Sequence, residues 1–101
     1  MGTRTELHKL LCKLLGSRNV YFQPPASVKM SYPAIVYSRS GISARHADGR
    51  VYNDKIEYNL ILIDRDPDSK FVKPLSDFPL CRYVNNYAAD GLNHDVFTIY
   101  Y

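Results

Sequence analysis

Three aspartates alternate along the chain at Asp64, Asp66 and Asp68, directly after an apolar stretch. Carboxylates gathered at a strand end are ligands for divalent cations, so this segment is the one that suggests a metal-dependent hydrolase. The spacing begins like a calcium-binding loop, but Ser69 stands in place of its turn glycine and Leu75 in place of its bidentate glutamate. Aspartates also cap helices and close turns. We therefore predict a cap and a turn here, and no metal site.

A second candidate for chemistry is the pair His94 and Asp95, which could be a general base and its orienting carboxylate. Neighbouring residues of a strand point to opposite faces, so the pair cannot act on one substrate. His8 and His46 lack metal-ligand spacing to either cysteine, and no nucleophile or phosphate-binding motif is present. We predict that the protein is not an enzyme and has no cofactor and no catalytic residues.

Composition places the chain among ordinary globular proteins and predicts a single domain over residues 1–101. Charged residues make up 23% and hydrophobic residues 46% of its 101 residues. Nine tyrosines favour strands and a surface that a partner covers, while a net charge of +3 is too small to indicate a dedicated nucleic-acid binder. Cys12 and Cys81 are expected to be buried free thiols. With no signal peptide and no apolar run long enough to span a bilayer, we expect a soluble, cytosolic type of protein without membrane contact.

The first half of the chain predicts one helix and two strands. Thr3 and Glu6 fit a capping box, leucines follow at helical spacing, and Gly16 is placed to end the helix after Leu15. Val20–Phe22 is a short strand pattern that stops at two prolines. A strand beginning at Ala34, in the interior of the sheet, follows the Tyr-Pro pair.

The second half predicts a central strand, a helix and two closing strands. The central strand carries alternating apolar residues from Ile56 to Ile63. Asp66 and Pro67 predict the start of the second helix, which Pro74 makes short, kinked or late. Strands Cys81–Tyr87 and Leu92–Tyr101 flank a turn at Asp90-Gly91. The fold class is therefore α+β: a mostly antiparallel sheet of about four to five strands, packed with two helices and carrying a long protruding hairpin.

The hairpin lies between Ser38 and Val51, and its glycines and cationic residues exclude it from the core. A polar tip of this length is expected to dock on a neighbouring subunit. The predicted interface residues are Arg39, Ile42, Arg45, His46, Arg50 and Tyr52. The arginines lie among tyrosines, so an alternative is a small nucleic-acid-binding module in which the tyrosines stack on bases and the arginines neutralise the backbone.

Taken together, the elements resemble the tail terminator and tail completion proteins of long-tailed bacteriophages and phage-like elements. The resemblance covers nearly the whole chain and has seven parts. These are the N-terminal helix, Arg18-Asn-Val-Tyr21 before the two prolines, the Tyr32-Pro33 pair that enters a strand, the long hairpin, the strand ending in Asp64-Arg-Asp66, the second helix, and the closing run from Asp90 to Tyr101. Pro74 departs from the pattern, because related proteins keep the second helix regular. No motif marks the residues that would meet a partner.

The resemblance implies a structural virion protein of the tail or neck, assembled in the cytoplasm of a bacterial host. Members of the family form a ring, commonly a hexamer, that ends the tail tube and joins it to the head–tail connector or stopper protein. The implied partners are other copies of the chain, the tail tube protein and the connector. Arginines of the hairpin would lie near DNA that passes non-specifically through the lumen, and the resemblance implies no catalysis and no cofactor.

Overall fold

In a computed structural model, the backbone is described for residues 3–43, 46–47, 50–51 and 55–101, and side chains for residues 3–41 and 56–101. Along this part of the chain a helix, five strands, a second helix and two strands follow one another, which is the predicted order with two additional two-residue strands. In order they are α1 (Arg4–Leu15), β1 (Val20–Phe22), β2 (Ala34–Ser43), β3 (His46–Ala47), β4 (Arg50–Val51), β5 (Lys55–Asp64), α2 (Val72–Ser76), β6 (Cys81–Ala89) and β7 (Leu92–Tyr100).

Helix α1 begins and ends where the capping residues predict. The Glu6 N–H donates to Thr3 Oγ1 at 3.2 Å, which satisfies one free donor of the first turn. Gly16 has a φ of 77°, in the left-handed region, and its N–H donates to the Cys12 carbonyl at 2.9 Å. The buried side of the helix consists of Leu7, Leu11 and Leu15.

The main sheet has five strands in the order β1-β2-β5-β7-β6. Strand β1 is parallel to β2, and every other neighbouring pair in this sheet is antiparallel. The α+β class, the mostly antiparallel sheet and the interior position of β2 are therefore confirmed. The two edge strands differ greatly in length: β1 has three residues and β6 has nine.

One face of the sheet forms the core together with both helices. Strand alternation places Tyr37, Leu60 and Phe97 on the same face, because they are directly opposite one another in neighbouring strands. Their cluster also includes Leu11 of α1 and Leu75 of α2, so both helices pack on this face. The completely buried members of the cluster are Leu7, Leu11, Ile35, Leu60, Leu62, Leu75, Phe97 and Ile99.

The predicted start of the second helix at Asp66 and Pro67 is wrong. Helix α2 begins only at Val72, and no side chain caps it. The aspartates instead accept hydrogen bonds within the preceding turns, which holds that segment outside a helix. The late start explains how Pro74 is accommodated, since it falls in the first turn of α2, where no helical hydrogen bond requires its missing N–H. The expectation of a short or late helix is confirmed.

The long hairpin is described only in part. Strands β2 and β5 pair antiparallel from Ala34↔Ile63 to Ser43↔Lys55, with a register shift between Arg39 and Gly41. Beyond that pair, β3 and β4 form a separate two-stranded sheet. Residues 44–45, 48–49 and 52–54 lie outside the described residues, so the protruding hairpin stays a prediction.

Strands β6 and β7 are joined by the predicted tight turn. Asp90 has a φ of 54° and Gly91 a φ of 73°, and the pair Ala89↔Leu92 closes the ladder on either side of them. Two successive residues with positive φ define a type I′ turn, whose twist matches that of a hairpin.

A histidine of α1 contacts a buried tyrosine of the sheet. His8 Nδ1 and Tyr37 Oη are 2.7 Å apart, and Tyr37 is 1% exposed. Burial, together with the nearby positive charge of Arg4, lowers the pKa of His8 below its ordinary value of 6.5. Between the lowered pKa and 6.5 the folded protein therefore binds fewer protons than the unfolded chain, so this contribution to stability is complete above that interval and is lost as pH falls through it.

We therefore expect the midpoint of urea unfolding to fall as pH is lowered from about 7 to about 5, and to fall less in His8→Gln than in the wild type. Glutamine keeps a hydrogen-bonding side chain beside Tyr37 but has no proton to gain. The measurement is a series of urea titrations followed by circular dichroism. Parallel pH dependence of the two proteins would show that His8 does not cause the loss.

Candidate functional site

The three aspartates at the end of β5 each have a place in a pair of turns. Asp64 Oδ1 accepts from the Asp66 N–H at 3.1 Å, and Asp66 Oδ1 accepts from the Asp68 N–H at 2.9 Å. Asp64 Oδ2 also accepts from the hydroxyl of Ser69, at 2.7 Å, and Ser69 is buried. The predicted turn is thus present. Among the described residues, no group of three or more His, Cys, Asp or Glu side chains is arranged to hold a metal ion.

Beside these turns lies a cleft of about 470 Å³ between the 67–76 segment and strands β6 and β7. Asn86 Nδ2 donates to Tyr83 Oη at 2.8 Å, and Tyr83 Oη donates to Asp95 Oδ1 at 2.8 Å. Desolvation of the phenol raises the pKa of Tyr83. The nearby Asp95 carboxylate raises it further, whereas the hydrogen bond from Asn86 lowers it. The phenol therefore remains protonated at neutral pH, and the chain of hydrogen bonds positions Asp95 rather than activating a nucleophile.

His94 and Asp95 lie on opposite faces, as their positions in a strand predict. The ring of His94 stacks on Tyr87, with 4.6 Å between ring centroids and 12° between their planes. Asp95 accepts instead from Tyr83 and lines the cleft on the face that carries the core. The two residues do not form a base and its orienting carboxylate.

Among the helices and strands whose side chains are described, β6, at the end of the sheet, is the most exposed. Of its nine residues, all but Cys81 are exposed. Its large side chains in solvent are Tyr83, Val84 and Tyr87, at 37%, 48% and 47% exposure, and Leu80 just before the strand is 55% exposed. None of the described strands pairs with its outer edge. Sequence reasoning identified β6 as a strand but missed its edge position, because the uncharged run from residue 83 to residue 89 is more typical of an interior strand.

The predicted interface residues of the hairpin are only partly located. Arg39 is exposed near the end of the β2–β5 ladder, opposite Tyr58, and its N–H donates to Gln23 Oε1 at 3.1 Å. Ile42 lies in β2, His46 in β3 and Arg50 in β4, but their side chains are not among those described. Arg45 and Tyr52 lie outside the described residues. The structure thus places one member of the set in solvent, and the interface stays a prediction.

Both cysteines are free thiols, but they are half-buried rather than buried. Cys12 lies on α1 and Cys81 begins β6, and each packs at the margin of the core cluster. Burial raises the pKa of Cys81 to about 11, so the thiolate that reacts with electrophiles or metals is scarce at neutral pH. Cys81 therefore serves packing.

The fold and this surface define a small α+β domain with both helices on one face of its sheet and a long strand open at one edge. Comparison with protein-family models, with curated proteins and with solved structures returned no match. Neither helix of the described residues has the length and apolar character needed to cross a membrane.

Proposed function

We propose that this protein is a structural component of a phage or phage-like tail. It forms a ring, six-fold as in the family that it resembles, which ends the tail tube and joins it to the head–tail connector. Its partners are other copies of the chain, the tail tube protein and the connector or stopper protein. The protein acts at the neck of the virion and has no catalytic role.

The observation that supports this proposal is the long ladder between β2 and β5, and the arm that would continue it is the predicted hairpin. Each of the two strands has ten residues, and their ladder continues to Ser43↔Lys55, beyond the last β5–β7 pair at Glu57↔Tyr100. The molecule measures 50 × 24 × 23 Å, so it is about twice as long as it is wide. An arm that projects from a small core adds little to that core, but it can reach a neighbouring subunit in a ring.

Charge on the arm supports a position near DNA. Arg39 is exposed at the base of the arm, and the sequence places Arg45 and Arg50 further along it. Three arginines give too small a footprint for tight binding of nucleic acid by one subunit, but a ring repeats them around its lumen. We therefore assign these residues to the lumen or to the contact between neighbours.

The proposal is tested by shortening the arm without disturbing the sheet. Replacing residues 44–54 with Asn-Gly joins Ser43 to Lys55, the last described pair of the ladder, through a two-residue hairpin turn. We expect the variant to fold, with a circular dichroism spectrum that differs only by the loss of β3 and β4, but to lose ring formation. Electron microscopy of both proteins at high concentration provides the measurement, with light scattering as a check on mass.

The matched control is a triple variant with Arg39, Arg45 and Arg50 changed to glutamine, which keeps the arm and removes its three arginine charges. Rings of uniform diameter from the wild type and none from the shortened variant are the expected result. A wild type that forms no closed ring at any concentration would overturn the proposed function. Rings formed by the shortened variant would instead overturn the assignment of the arm.

A further inference from the structure

We propose that the outer edge of β6 binds the same edge of a second copy of this chain, antiparallel, with a two-fold axis at Tyr87. The contact goes beyond the proposed ring. Neighbours in a cyclic ring meet through two different surfaces, whereas this contact uses one surface twice. It therefore joins two copies in a way that is separate from the contacts between ring neighbours.

The tight turn between β6 and β7 determines which backbone groups are free. In a two-residue hairpin, the residues that flank the turn exchange hydrogen bonds, and hydrogen-bonded pairs then alternate along the ladder. Ala89↔Leu92 and Tyr87↔His94 are therefore hydrogen-bonded pairs. The residues between and beyond them, Ala88 and Asn86, direct their N–H and C=O groups away from β7. Four backbone groups therefore lie unpaired along the open edge.

These four groups are spaced for pairing with a second copy of themselves. When two β6 strands run antiparallel with Tyr87 opposite Tyr87, Asn86 of each copy is opposite Ala88 of the other. Both of these residues direct donors and acceptors outward, so the register forms four hydrogen bonds across the two-fold axis. The two tyrosines form the non-hydrogen-bonded pair at the centre, where side chains approach most closely.

The side chains of this edge lack the features that keep open strands apart. Natural edge strands are protected by lysines, prolines, bulges or very short length. Residues 85–89, Asn-Asn-Tyr-Ala-Ala, contain no charge, proline or glycine, and the register shift between Tyr83 and Asn85 lies just before them. Arg82 and Asp90, on either side of this run, are opposite in charge. In the two-fold register, Arg82 of one copy lies near the end of the strand that carries Asp90 in the other copy.

Exposure also favours this edge over the opposite one. Tyr87 is 47% exposed although it stacks on His94, so a second tyrosine opposite it would remove apolar ring surface from water. The opposite edge, β1, has only three residues and the Ser31 N–H donates to Tyr21 Oη beside it, at 3.4 Å. A loop residue thus contacts a side chain of the short edge strand, whereas β6 offers nine residues.

A single cysteine distinguishes the two-fold register from every other contact. In a background with Cys12 and Cys81 changed to serine, Tyr87→Cys places two thiols opposite each other, with Cα atoms about 4.5 Å apart, within disulfide reach. We expect mild oxidation to convert most of this variant to a covalent dimer. In the matched control, Ala88→Cys, the two cysteines are diagonal, with Cα atoms about 9 Å apart, too far for a disulfide.

A second variant tests the hydrogen bonds without adding a thiol. Asn86→Pro removes an outward N–H and leaves the backbone bonds to β7 intact, at a position where edge strands tolerate proline. Asn86→Ala is its control, because it removes only the side-chain hydrogen bond to Tyr83. For Asn86→Pro, we expect light scattering to show a dimer dissociation constant raised at least about tenfold, with little change in the thermal midpoint.

Equal crosslinking of the Tyr87→Cys and Ala88→Cys variants, or a wild type that stays monomeric at high micromolar concentration, would overturn the edge contact. The test of the edge contact can be distinguished from the test of ring formation. Rings assembled by Asn86→Pro would leave the proposed function standing, while a covalent dimer from a protein that forms no ring would support the edge contact alone.

Discussion

Phe97→Ala is expected to lower the free energy of unfolding by about 3–5 kcal/mol. Phe97 is completely buried in the centre of β7, directly opposite Leu60, and its ring meets that of Tyr83 edge-on at 5.2 Å. Removing the ring leaves a cavity between the sheet and its helices. It also ends the aromatic contact that fixes Tyr83 beside the cleft.

Urea unfolding followed by circular dichroism measures this loss. A small domain is stabilised by only about 5–15 kcal/mol, so the variant is expected to be partly unfolded at body temperature. The neighbouring substitution Thr98→Ala is the control, because strand alternation places Thr98 on the face opposite the core, and we expect a change below about 1 kcal/mol. Equal losses in the two variants would show that the core does not lie on the face that carries Phe97.

Leu11→Ala is expected to cost about 2–5 kcal/mol, because Leu11 is the central buried residue of α1 and is 0% exposed. Alanine is the best helix former, so any loss arises from packing and not from helix propensity. The substitution weakens the packing of α1 on the sheet, where Val20, Ile35 and Tyr37 belong to the same cluster.

Leu10→Ala is the matched control for this substitution. Leu10 is the preceding residue of the same helix and has the same side chain, but it is 37% exposed. We expect a loss below about 1 kcal/mol, and the difference between the two variants isolates burial from residue type. If Leu10→Ala were the more damaging variant, the exposed side of α1 would have to contact something in solution, and a second copy of the chain would be the first candidate to examine.

Much of the fold could be predicted from the sequence because it depends on local signals. The cap at Thr3, the left-handed residue Gly16 and the turn at Asp90-Gly91 each depend on the backbone geometry of a few residues, and all three were located correctly. Alternation along β5 likewise predicted Tyr58, Leu60 and Leu62 on one face, and all three are buried.

The second helix shows where local reasoning failed. Asp66 and Pro67 are a good helix start by composition, but the same carboxylate can accept from an N–H within a turn. Whether a helix or a turn forms at Asp66 depends on contacts made outside the segment. One such contact is that of Leu75, which is buried against the sheet and fixes the helix several residues later. A short window of sequence does not contain those partners.

For the exposed edge at β6, the sequence predicted a tyrosine-rich partner surface but not its position. Nine tyrosines indicated a surface suited to a partner, but the hairpin was preferred for its loop length and its charge. The alternation of the sequence cannot show that β6 pairs on one side only, since edge and interior strands share the same period. The edge position arises because β7 inserts between β5 and β6.

By itself, the sequence determined the α1 helix, the strands, the turns and the apolar face of each, because capping, backbone conformation and period act over a few residues. Only the tertiary structure decided the strand order and the late start of α2. These features depend on contacts between residues far apart in the chain, and no local sequence pattern specifies which distant residues come together. The aspartates that first suggested a metal therefore close the joint between β5 and α2, and the open edge of β6 becomes the feature most suited to a partner.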